Sequence, residues 1–107
     1  MRPESAHLNE KIMVNGRIHL PSHQPASVEV QRGMKIVVTD GKEVGFVGGV
    51  VVNSHSDEVT CILLCHLPVT AVYRLIPIHL IARVEAETIY LNMQFDDLET
   101  LAAHSPI

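Results

Sequence analysis

The sequence predicts an all-β fold: a small antiparallel β-barrel over residues 28–107 that ends in a short C-terminal helix, preceded by an N-terminal arm over residues 1–27. Three observations predict it. Apolar residues alternate with period two from Val28 onward, the pattern of half-buried strands. Turn-forming residues recur between these runs. No helical pattern alternates with the strands, which excludes a doubly wound α/β sheet. A chain of 107 residues, 47% hydrophobic and 19% charged, supports one globular domain with one modest core.

The arm is punctuated by Pro3, Ser5, Pro21, Ser22, Pro25 and Ser27. Its one structural signal is IMVNGRIHL, where Asn15-Gly16 between short apolar runs predicts a small hairpin. In the barrel region Met34, Ile36 and Val38 alternate with Lys35, Val37 and Thr39, and Asp40-Gly41 then supplies the chemistry of a tight type I′ turn. Val44 to Asn53 is the second strand, His55-Ser56-Asp57 the next turn, and Glu58 to His66 the third strand.

Pro68 interrupts, and Thr70 to Ile76, rich in β-branched residues, is the fourth strand. Pro77 cannot donate to a ladder and marks an edge or a strand end. Ile78 to Val84 and Glu87 to Asn92 close the β region. In the tail, Phe95, Leu98, Leu101 and Ala102 share one helical face, with Asp96 and Asp97 at its positive end and His104 near its negative end.

Charge and composition narrow the function. A net charge of −4 with scattered Lys and Arg argues against direct nucleic-acid binding, which needs clustered cations. No apolar run reaches the ~18 residues of a membrane span, and MRPESAHLNEK lacks the apolar core of a signal peptide, so a cytoplasmic location is expected. Cys61 and Cys65, four residues apart on a strand, would have Cα atoms roughly 13 Å apart, too far for a disulfide. Two unpaired thiols fit a reducing compartment, and their spacing matches no structural zinc pattern.

The glycines of TDGKEVGFVGGVVVN raise the possibility of a phosphate cradle. Gly41, Gly45, Gly48 and Gly49 match neither the P-loop nor the dinucleotide spacing, and they lead into VVV, a strand rather than a helix. Curvature is the physical alternative: a strand coiling around a narrow core needs positions without Cβ where it bulges or another backbone passes close.

On these residues the chain resembles a known family. Gly33-Met34-Lys35-Ile36-Val37-Val38, then Asp40-Gly41-Lys42-Glu43-Val44-Gly45-Phe46-Val47, then VVVN, then Ile76-Pro77, look like the PRC-barrel family, named for the cytoplasmic domain of a photosynthetic reaction-centre subunit and related to domains of ribosome-maturation factors. The resemblance covers roughly Val28 to Ala103. It implies a six-stranded barrel used as an adaptor that docks onto proteins or onto itself, with no shared catalytic residues. Phe46 and Gly48 stand where the family more often has polar residues.

Both faces of the central strands look apolar. A regular second strand puts Val44, Phe46, Val50 and Val52 on one face and Val47 and Val51 on the other, with the phase open to change by a bulge at the glycines. The third strand sets Val59, Cys61, Leu63 and Cys65 against Ile62 and Leu64. A small barrel buries only its inward side, so the outside needs a cover: a second copy, a partner protein, or the arm and the helix. Phe46, Val51, Ile62 and Leu64 are the candidate outward contacts.

The expected function is therefore a non-catalytic, self-associating adaptor, with no catalytic residue, no cofactor and no metal. Seven histidines invite a different class, a small-molecule or metal site at the barrel mouth near His55, His66 or His79, although His19 and His23 fall in the Pro-rich segment and no H-E-x-x-H order exists. Ser54, His55, Ser56 and Asp57 are adjacent on a turn and point apart, unlike a working triad. A third class, implied by the resemblance, is a ribosome-assembly adaptor docking on a ribosomal protein.

Overall fold

The computed structural model describes residues 10–21, 23–66 and 73–104, with every side chain among them except those of His66 and His104. Among these residues the chain is mostly β. Its strands are β1 (Glu10–Met13), β2 (Asn15–His19), β3 (Ser27–Gln31), β4 (Lys35–Val37), β5 (Glu43–Asn53), β6 (Val59–His66), β7 (Tyr73–Pro77), β8 (Ile81–Glu85), β9 (Thr88–Leu91) and β10 (Ala103–His104). The expected fourth strand begins at Thr70, and its residues 70–72 and Pro68 lie outside the described residues.

Eight strands form one mixed sheet in the order β10-β7-β6-β5-β4-β9-β8, with β1 also paired to β5. The expectation of a purely antiparallel sheet is corrected at one place, where β4 and β9 run parallel. β9 returns only after the long β5 to β8 excursion, and such a crossover is what a parallel pair requires. The two ends of the path, β8 and β10, do not pair, so the sheet is not a hydrogen-bonded closed barrel.

The β2–β3 ribbon forms a second, two-stranded sheet. It corrects the expected hairpin, because Asn15 and Gly16 lie inside β2, opposite Gln31 and Val30, rather than in a turn. Gly16 is there for clearance: a Cβ would stand 2.6 Å from Val59 Cγ2 and 3.1 Å from Val50 Cγ2. The ribbon also joins the two expected segments across residue 27. Ile18, Leu20 and Val30 enter the same buried cluster as Ile36, Val47, Val50, Ile62, Leu64, Ile76 and Ile89 of the large sheet. Each such side chain contributes about 1.5–3 kcal/mol by leaving water.

Turn chemistry departs from expectation twice. At Asp40-Gly41 only Gly41 has positive φ, +86°; Gly41 N donates to Val38 O at 2.9 Å and Val38 N to Lys42 O at 3.0 Å. That is a three-residue loop with glycine in the left-handed position, not a two-residue type I′ turn. The two-residue turn with both central φ values positive occurs instead at Ala86 (+48°) and Glu87 (+62°), joining β8 to β9.

The tail helix is a 3-10 helix, Phe95–Thr100, rather than an α-helix. The spacing 95, 98, 101 fits three residues per turn as well as 3.6. Its start is held by Gln94 N donating to Asp97 Oδ2 at 3.3 Å, and only Leu98 is buried. Ala102 is already extended: its carbonyl accepts from Leu75 N at 2.8 Å, leading into β10 on the β7 edge.

Candidate interaction surface

Strand β5 decides which side chains face out. It pairs with β4 and β1 along one side and with β6 along the other. Its register slips against β4 between Ile36 and Val37, and against β6 between Val47 and Gly49. The second slip leaves Gly48 as an extra residue, so Val47 and Val50, three apart, both face the core. The regular phasing is corrected accordingly: the inward set is Val44, Val47, Val50 and Val52, and Phe46 and Val51 belong to the other face.

Glycine is needed where backbones crowd. A Cβ on Gly45 would collide with the Cys65 carbonyl oxygen, with Cys65 C and Leu64 Cδ1 both at 2.9 Å. One on Gly49 would stand 2.9 Å from Met13 O of β1. β5 continues through Gly48 and Gly49 as a strand to Asn53, with no helix beginning there.

The same register corrects two of the four candidate contacts. Ile62 and Leu64 are 0% exposed and lie in the core, because the chain places Cys61, Leu63 and Cys65 on the opposite face. The difference is one of phase: an eight-residue strand with apolar residues at nearly every position carries no alternation that fixes its facing. Phe46 is half-buried opposite Cys65. Val51 lies in the floor of an outer cleft of about 460 Å³ together with Cys61 and Leu75, walled by Lys11 and Ile12 of β1 and by Ala103 of β10.

Part of the cover that the outer face needs is thus supplied by the chain's own ends, β1 on one side and β10 on the other. β1 is seated by its ladder to β5, Ile12 opposite Val51, and by an exposed 3.6 Å ion pair from Lys11 Nζ to Asp57 Oδ1, which adds little to stability. The cover is itself apolar. Ile12, Met13 and Val14 are 50%, 42% and 57% exposed, and among the described residues β5 is the only strand paired with β1. The sequence carries this signal in the run IMV, next to the hairpin-like Asn15-Gly16.

The Cys61 thiol, beside Val51, is pushed above the usual thiol range chiefly by burial; a hydrogen bond with Thr60 partly offsets this, and the Glu10 charge adds to the rise. It is a neutral packing group. His55 is exposed in the β5–β6 turn, where its N–H donates to Asn53 Oδ1 at 2.8 Å, and the His66 side chain lies outside the described residues. His79 is exposed and shares a separate cleft with His19 and His23. Among the described residues no three His, Cys, Asp or Glu side chains come together as metal ligands, and no helix is long and apolar enough to cross a membrane.

No protein-family model matches the chain, and no curated protein matches it in sequence.

Proposed function

We propose that the protein is a non-catalytic interaction domain of PRC-barrel type that associates with a second copy of itself through the free edge of β1. One observation carries this reading: three consecutive large apolar side chains, Ile12 and Met13 of β1 and Val14 in the bend just after it, stand exposed, and among the described residues β1 is paired along one side only. Such an edge offers unpaired backbone donors and acceptors together with apolar cover, a template for another strand. Lys11 is the one basic side chain on β1 that could blunt it, and it is drawn toward Asp57.

The barrel likeness is supported by one rolled core that takes side chains from both the ribbon and the large sheet. Light scattering of the wild type and of an Ile12→Lys, Val14→Lys double variant tests the interface. The wild type is expected at a multiple of 11.8 kDa and the variant at that mass. A wild type that stays monomeric at high micromolar concentration removes the basis of the reading.

A further inference from the structure

The seam between the ribbon and the free edge of the large sheet is closed by a side chain. β8 ends the hydrogen-bonded path of the sheet. In its hairpin with β9, Glu85 faces Thr88 across the two-residue turn and Val84 faces Ile89. Antiparallel pairs alternate between bonded and non-bonded, and the pair next to such a turn is bonded, so Val84 turns its N–H and C=O away from β9. β3 runs nearby without pairing: a cleft of about 290 Å³ lies between the two, with Val28 and Met34 on one side and Val84 on the other.

His23, in the connection from β2 to β3, reaches across this gap. Its Nδ1 lies 2.7 Å from Pro25 O, and its Nε2 lies 3.2 Å from Val84 N and 3.1 Å from Val84 O. A carbonyl at that distance from Nδ1 requires a proton on Nδ1. The neutral ring then carries a bare Nε2, which can only accept, and Val84 N–H is the donor in range. Val84 O is left unbonded to the ring in that tautomer.

We propose that His23 is a latch on the exposed edge of β8, fixed as the Nδ1–H tautomer, that ties the ribbon to the sheet and blocks Val84 from pairing with a strand of another chain. The device is independent of the β1 interface. An edge that presents a free N–H beside a buried valine invites added strands, and a ring nitrogen on that N–H removes the invitation.

The test is nuclear magnetic resonance on the whole chain. Long-range proton–nitrogen correlations of the wild type are expected to show a protonated Nδ1 and a bare Nε2 at His23, with the Val84 amide protected from exchange. His23→Ala is expected to speed Val84 exchange about 10-fold, roughly the factor one such hydrogen bond carries, while the Val47 amide, which donates to Met34 O, keeps its rate. His23→Gln, whose Oε1 can accept from the same N–H, is expected to restore part of the protection. A proton on Nε2, a freely exchanging Val84 amide in the wild type, or unchanged protection in His23→Ala overturns the proposal. Should His23→Ala fail to fold, the two wild-type measurements decide.

Discussion

Replacing Gly45 by alanine adds one methyl group at the most crowded point of the sheet. Gly45 pairs with Ile36 of β4 on one side and His66 of β6 on the other. The new Cβ would overlap the Cys65 carbonyl oxygen and press on Leu64 Cδ1 at 2.9 Å, and neither neighbour can yield freely. The carbonyl is backbone, and Leu64 is fully buried. Relief requires β5 and β6 to move apart, weakening their ladder beside a close-packed core. Overpacking alone costs about 1–3 kcal/mol, and one disturbed ladder bond adds about 1 kcal/mol. The expected loss is about 2–4 kcal/mol out of a total of about 5–15 kcal/mol.

Urea unfolding followed by circular dichroism measures that loss. With a slope of ~1–2 kcal/mol/M, it lowers the midpoint by roughly 1–4 M. Gly48→Ala is the control three residues along the same strand, since its Cβ would meet the Tyr73 ring at 3.4 Å and Leu63 O at 3.8 Å, both ordinary contacts. A Gly45→Ala protein as stable as the Gly48→Ala protein would refute the reasoning that close backbone approach, rather than ligand binding, explains the glycine-rich strand.

Three further outcomes follow from the same contacts. Ala86→Asn with Glu87→Gly should stabilise the protein by about 1–2 kcal/mol, because the pair replaces two strained left-handed residues by the preferred type I′ sequence; thermal unfolding would show a higher midpoint. Ile62→Ala or Leu64→Ala should cost about 2–5 kcal/mol by opening a core cavity, whereas Phe46→Ser should cost less in the same unfolding assay because Phe46 is half-buried outside the core. Alkylation of Cys61 should run slower than that of an open cysteine at mildly alkaline pH, since its pKa is raised by burial. The sign for stability is fixed by the same rise: the neutral thiol's contribution is full below the ordinary thiol range and is lost as pH climbs through the raised value, a fall that pH-dependent unfolding would detect.

Legibility followed physics element by element. Strands β5 and β6 were readable because β-branched runs sit between clear turns, and the exposed His55-Ser56-Asp57 loop lay where its residue types put it. Their facing was not readable. A bulge at Gly48 shifts the phase of β5 by one residue, and the central run of β6, Cys61 to Cys65, is apolar throughout and has no alternation to fix its own, so Ile62 and Leu64 face inward. Ala86-Glu87 gave no turn signal because neither residue favours positive φ; the turn there is imposed by β8 and β9 closing on each other. Asn15-Gly16 gave a false one, since packing of Gly16 against Val50 and Val59 outweighs its local turn preference. The exposed apolar run at Ile12 was visible in the sequence, but its place on a sheet edge depends on pairing with residues some forty positions away.

Amide exchange along β1 at rising protein concentration tests self-association through this edge most directly. The β1 amides that face away from β5 should become protected as concentration increases, and the Ile12→Lys, Val14→Lys variant should leave them open throughout. Protection that stays the same from dilute to concentrated solution, in wild type and variant alike, would contradict pairing of β1 with a second copy.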